Sequence, residues 1–272
     1  MRSLRVPVRD GSLAALHNTA TTGTATVLLV PGYTGSKEDF RPLLRPLAAA
    51  GLPAVAIDQR GQYESDWART AAGYELERLA EDVVAVAEQV ADGRHVHLLG
   101  HSFGGLVARL ATIRRPDLFQ SLVLMDSGPA AIGGNRRRAL EDGEPVLAGG
   151  GMRALWEHRL LQSQADPRYV APAPALQEFL RTRFLANDPV GLRVMGAVLR
   201  TEPDRSAELA ATRRPMLVLY GEHDDAWPPE VQAEMAARLG ARVATIERAA
   251  HSPAVENPSA TLQALLEFWQ PG

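Results

Sequence analysis

Short, nearly unbroken apolar runs punctuate the chain: Val27-Leu28-Leu29-Val30, Ala54-Val55-Ala56-Ile57, Val96-His97-Leu98-Leu99, Leu122-Val123-Leu124-Met125 and Met216-Leu217-Val218-Leu219-Tyr220. A strand with one wet face alternates apolar and polar residues. A run without alternation belongs to a strand covered on both faces, the habit of a parallel sheet. Between these runs the period lengthens to that of a helix. It does so at 40–50 (stopped by Gly51), at 76–90 through Leu79, Val83, Val86 and Val90, and at 103–114 through Leu106, Val107 and Leu110. Helical stretches at 230–239 and 262–269 enclose a further strand at 243–246. The opening segment reads as a hairpin, 4–8 and 13–17, turning at Asp10-Gly11. Repeated strand–helix units of this kind predict an α/β fold, a mostly parallel central sheet with helices on both faces.

The alternation stops between 128 and 205. That segment carries Gly133-Gly134, Gly149-Gly150-Gly151, Pro172 and Pro174, and shows helical stretches at 152–161, 176–185 and 190–199 without a buried strand. The expected organisation is one core made of 1–127 and 206–272, with 128–205 as a helical cap inserted over the sheet edge.

Composition narrows the chemistry. At 272 residues, with 46% hydrophobic and 22% charged, the chain can bury one sizeable core. A net charge of −3 gives no electrostatic footprint for nucleic acid or an anionic membrane, so neither is expected as a partner. The absence of cysteine removes disulfides, zinc–thiolate sites and a thiol nucleophile. No histidine spacing suggests a metal site, and no cofactor is expected. Without a signal-like start or an apolar run of membrane length, a cytoplasmic location is the default expectation. Lys37 is the only lysine, the remaining basic residues being arginine.

The candidate chemistry starts at Gly100-His101-Ser102-Phe103-Gly104, directly after a buried strand and directly before a helix. Such a turn holds a serine hydroxyl out of the sheet at a helix N-terminus, where partial positive charge favours a developing anion. A serine needs a base, and the base needs a group to orient it. Loops after parallel strands converge on one sheet edge, so partners are sought there. Pro31-Gly32-Tyr33-Thr34-Gly35-Ser36 follows one strand and can turn the Tyr33 N–H, beside that of Phe103, toward an oxyanion. Gly221-Glu222-His223-Asp224-Asp225 and Ala250-His251-Ser252 follow two others, giving the order Ser, Asp, His.

With these pieces the chain resembles the α/β-hydrolase superfamily over nearly its whole length. The resemblance makes Ser102 the nucleophile of a nucleophile elbow. Through Gly221-Glu222-His223-Asp224 followed by Pro228, it makes Asp224, rather than Asp225, the acid. Through Ala250-His251-Ser252 followed by Glu256-Asn257-Pro258, it makes His251 the base. Asp58-Gln59-Arg60-Gly61 is similar to a family turn, with Asp58 and Arg60 expected to tie loops together. Two departures stand out: Pro31 replaces a common histidine, and Gln62-Tyr63-Glu64-Ser65 lacks a glycine, which puts a tyrosine near the expected site mouth.

Asp126, at the end of the strand after the nucleophile helix, is the alternative acid, since some members of the superfamily use that strand. His101 and His223 flank triad positions and are read as supporting groups. The run Arg136-Arg137-Arg138 is read as a solvated face. The expected activity is a cofactor-independent serine hydrolase, of the carboxylesterase type, acting on a small-molecule acyl substrate. The bond is an ester, or an amide, thioester or activated C–C bond, cleaved through an acyl-enzyme. An acyltransferase with the same triad and a non-catalytic ligand-binding protein on the same scaffold are the alternatives.

Overall fold

The computed structural model describes residues 1–20, 23–165, 167 and 169–270. Eight strands form one sheet: β1 (Arg2–Val8), β2 (Gly11–His17), β3 (Ala25–Val30), β4 (Ala54–Ile57), β5 (His95–His101), β6 (Phe119–Met125), β7 (Met216–Gly221) and β8 (Arg242–Ile246). Their spatial order is β1-β2-β4-β3-β5-β6-β7-β8. The hairpin β1–β2 is antiparallel and joins β4 antiparallel, whereas β4 through β8 run parallel. This is the mostly parallel sheet that the apolar runs predict, in the α/β-hydrolase arrangement that the resemblance implies.

The helices are α1 (Arg41–Ala49), α2 (Leu76–Ala91), α3 (Phe103–Arg114), α4 (Gly134–Gln164), α5 (Pro174–Leu185), α6 (Pro189–Thr201), α7 (Ser206–Ala211), α8 (Pro229–Leu239), α9 (Pro253–Glu256) and α10 (Pro258–Trp269). Alternate residues of each central strand feed opposite faces. Leu28, Val30 and Leu98 pack with Leu79, Val83, Leu106, Val107 and Met235 from α2, α3 and α8. Val27, Leu29 and Leu99 pack with Leu43, Leu44, Leu47, Leu265 and Trp269 from α1 and α10. Two aliphatic layers on one sheet explain why these strands carry no polar alternation. The edge strand β8 differs: Val243 is 48% exposed, because one side of the strand has no neighbour.

Between β6 and β7 the described residues form helices and no strand. Their own small core joins Leu147, Leu155, Phe184 and Leu192. The first half of α4, for which no helical stretch is predicted, is helical. The break that the glycines announce falls at one residue, Gly151 (φ 69°, ψ −166°), and splits α4 in two. Leu140 and Leu147 sit at helical spacing there and pack inward.

Polar clamps bind these helices to the sheet edge. Arg109 is buried and paired with Glu202 at 2.9 Å. Tyr74 Oη bonds the Asp188 carboxylate, and Asp188 N–H donates to Gly61 C=O at 2.9 Å. Arg183 pairs with Asp39. Under them, Lys37 is 1% exposed, with its ammonium 2.8 Å from Asp58, 2.7 Å from Glu64 and 3.1 Å from Glu38. Arg60 donates twice to Asp82, at 2.7 and 2.9 Å. Asp58 and Arg60 thus tie loops together as expected.

Candidate active site

Ser102 sits between β5 and α3 with φ 53° and ψ −120°, a conformation that a non-glycine residue adopts only when its surroundings impose it. The surroundings are tight. A Cβ on Gly100 would lie 2.2 Å from Gly104 C=O, and one on Gly104 would lie 2.4 Å from Pro31 C=O. The turn can therefore form only with hydrogens at those two positions.

His251 Nε2 stands 2.9 Å from Ser102 Oγ, and His251 Nδ1 stands 2.8 Å from Asp224 Oδ1. The loops that hold the two partners are laced together. His223 N–H donates to Ala249 C=O at 3.1 Å, and Gly221 approaches so closely that a Cβ there would lie 2.0 Å from Ala250 C=O. Asp224 is fixed further by Ala226 N–H at 2.9 Å on Oδ1 and by Gln232 Nε2 at 2.7 Å on Oδ2. With its oxygens so engaged, the carboxylate faces the imidazole in one orientation, which sets the proton on Nδ1 and leaves Nε2 to accept from the serine. Gln232 lies on α8 and had no sequence signal, being a buried polar residue on an otherwise ordinary helix.

His101 behaves as a supporting group: its Nε2–H donates to His251 C=O at 2.6 Å. Burial first, and then the charge of His251, depress its pKa to about 4, so it stays neutral at physiological pH. His223 is an exposed loop residue, 3.5 Å from Glu222.

Asp126 lies close by but does not contact the histidine in the way Asp224 does. It is fully buried, its Oδ1 accepts from Gly221 N–H at 3.0 Å, and its Oδ2 has no hydrogen-bond partner among the described residues. Burial, and then the adjacent Asp224 charge, push its pKa well above the ordinary carboxylate value, favouring the neutral acid. Asp126, Asp224 and His251 place one ligand-type atom each within 4.8 Å of one another. Within this cluster His251 Nδ1 and Asp224 Oδ1 already bond each other.

The Tyr33 N–H lies in a turn closed by Gly35 N–H to Gly32 C=O at 3.0 Å, with Thr34 at φ 61°. That turn does not use the Tyr33 N–H, and Phe103 N–H, first in α3, has no intrahelical acceptor. Gly32 packs tightly here: a Cβ would lie 3.0 Å from the Ser102 Cβ. The Tyr33 side chain donates to Leu192 C=O on α6 at 3.0 Å, coupling this turn to the inserted helices.

A cavity of about 280 Å³ opens over Ser102 and His251. Its far walls are Ile132, Arg136, Leu140, Arg159, Ser163 and Leu199, all from the inserted segment. Two expectations are corrected here. Tyr63 does not line this cavity; its ring stands edge-on to Phe179 of α5 at 6.0 Å with the Lys37 ammonium 4.7 Å above it, so it braces the insertion. Arg136 is not merely a solvated charge. It lines the cavity and is locked to Asp225 by contacts of 2.7 and 3.1 Å, a pairing between positions 89 residues apart that no local charge pattern foretells.

Comparison with known proteins agrees with the fold. A family model described as "Alpha/beta hydrolase family" matches residues 27–264. The chain belongs to the alpha/beta hydrolase family. Among curated proteins, this hydrolase is similar to a strigolactone esterase of Arabidopsis thaliana, at 25% identity over 260 residues covering 94% of this chain and 91% of that one. Among solved structures, it superposes on a thermophilic esterase from Thermogutta terrifontis with a TM-score of 0.79, at 22% identity covering 100% and 99% of the two chains. An enol-lactonase from Burkholderia xenovorans gives a TM-score of 0.81 at 21% identity, covering 97% and 99%. No described helix of this hydrolase is long and apolar enough to cross a membrane.

Proposed function

We propose that this protein is a serine hydrolase that cleaves an ester-type bond through an acyl-enzyme. The observation that carries the reading is the unbroken line from Asp224 Oδ1 through His251 to Ser102 Oγ, with steps of 2.8 and 2.9 Å, at the floor of an open cavity. Ser102 Oγ attacks the carbonyl carbon while His251 Nε2 takes its proton. Asp224 stabilises the imidazolium that results. The Tyr33 and Phe103 N–H groups receive the oxyanion, a donor of this kind contributing on the order of 3 kcal/mol to the barrier. His251 then returns the proton to the leaving alcohol, and water repeats the sequence to free the acid. Neither a metal nor a cofactor is needed for any step. The helices between β6 and β7 act as the cap that shapes the substrate space.

The names of the similar proteins given above, two esterases and an enol-lactonase, support cleavage of a carboxylic ester. A fluorophosphonate probe tests the reading: it is expected to label the folded protein once, at Ser102, and not Ser102→Ala. Folded wild-type protein that takes up no label and turns over no activated ester would instead be a ligand-binding protein on a hydrolase scaffold.

A further inference from the structure

Three arginines from the inserted helices line the space above and beside Ser102: Arg136, Arg159 and Arg183. Two have carboxylate partners within the protein. Arg136 is paired with Asp225 and Arg183 with Asp39. The nearby Glu144 is taken by Arg200 at 2.6 Å. Arg159 has no ion-pair partner among the described residues, although it is shielded from water enough that burial, more than any other influence, lowers its pKa. Tyr33, whose phenol burial holds above its usual pKa, stays neutral and offers no counter-charge.

The guanidinium is nevertheless well positioned. Its central carbon lies 5.6 Å from the Tyr33 ring centroid and 5.3 Å from that of Phe184. One N–H group hydrogen-bonds the Tyr33 hydroxyl, and the remaining donors of the five-donor fork can serve a planar oxyanion. Arg159 also sits where two spaces meet. It lines the 280 Å³ cavity with Ser102 and His251, and a neighbouring cavity of about 470 Å³ that shares Thr34, Arg136 and Ser163 with the first. An uncompensated cation so placed is expected to have an anion brought by the ligand.

We propose that Arg159 binds a carboxylate carried by the substrate, so that this hydrolase acts on anionic esters, with the scissile carbonyl at Ser102 and the carboxylate at the Arg159 N–H edge. Arg136, its charge largely answered by Asp225, adds long-range attraction and not a second direct bond. The Ser163 hydroxyl, on the same wall, is placed to share the bound oxygens.

The inference rests on the hydrolase reading, and its test separates the two. The mono-4-nitrophenyl ester of adipic acid is compared with 4-nitrophenyl hexanoate, its neutral counterpart of equal chain length. An aryl acetate with the carboxylate on the leaving group, 4-acetoxybenzoate, is compared with phenyl acetate to find which side carries the charge. Wild type is expected to prefer the anionic member of at least one pair about 10-fold or more in kcat/KM. Arg159→Gln is expected to lose about 30-fold on that member, mainly through KM, and to stay within about 3-fold on the neutral one, the loss of a charge-assisted bidentate contact. Arg159→Lys should recover part of the loss. Equal loss on both members, or a wild-type preference for both neutral esters, overturns the proposal. If no ester is turned over, the hydrolase reading fails, and the anion site is still decided by binding. Adipate should raise the melting temperature of Ser102→Ala but not of Ser102→Ala combined with Arg159→Gln. The absence of any difference between those two overturns it.

Discussion

At the scale of single residues, the neighbouring acids Asp126 and Asp224 divide their roles by environment. Asp224 accepts from Ala226 N–H, Gln232 and His251, whereas Asp126 is enclosed with one N–H donor and an unbonded oxygen. Asp224→Asn should therefore lower kcat on an activated ester by about 10⁴-fold, the cost of presenting the wrong tautomer. Asp126→Asn, which replaces a carboxyl that burial inclines toward its neutral form and that does not bond His251, should cost less than about 10-fold. Steady-state rates of the two purified variants decide between them, and the reverse ranking would move the acid to Asp126. Sequence order placed Ser102, His251 and Asp224 on one sheet edge because loops after parallel strands have nowhere else to go. Gln232 and Arg159 stayed invisible, since the contact of Gln232 with Asp224 depends on how α8 is rotated, and that of Arg159 with Tyr33 joins distant parts of the chain.

At the scale of elements, the same residue type has opposite worth in two places. Gly104 opens α3 against β3, with no room for a methyl group; Gly149, inside α4, has nothing within 4 Å of where a Cβ would stand. Gly104→Ala must push backbone against backbone and should cost about 3 kcal/mol or more. Gly149→Ala removes only the entropy of a helical glycine and should stabilise by up to about 1 kcal/mol. Urea unfolding of the two variants measures both, and a destabilised Gly149→Ala would contradict the open geometry at that site. This contrast also explains how legible the elements were. The strands of the central sheet were readable because two-sided burial writes an unbroken apolar run. The first half of α4 was not, because glycine-rich composition describes a helix that is half exposed about as well as it describes a loop. The bracing role of Tyr63 was equally hidden, as it needs Phe179 of α5 laid across it.

At the scale of the whole molecule, the layered sheet buries titratable groups whose stability effects oppose one another. His97 lies in β5, bonded through Nδ1 to Ser121 at 2.7 Å and stacked on Trp269, and burial depresses its pKa to about 4. Because this folded-state value lies below the ordinary 6.5, His97 contributes stability that is fully present above about pH 6.5. That stability fades as the unfolded chain alone takes the proton, and is gone below about pH 4. Asp58 is pushed by burial up to about 6 even beside Lys37, and so runs the other way across the same window. The difference in unfolding free energy between wild type and His97→Gln isolates the histidine. It should shrink by on the order of 3 kcal/mol from pH 7 to pH 4, and a difference independent of pH would show that His97 titrates normally. The buried ion cluster around Lys37 has another consequence, for handling the protein at the bench. Because this is the chain's only lysine and its amine is sealed against three carboxylates, reagents that seek lysine amines have no surface target while the fold is intact. For the same reason, a lysine-specific protease can cut the chain at one bond only, and only after the turn that follows β3 has come apart.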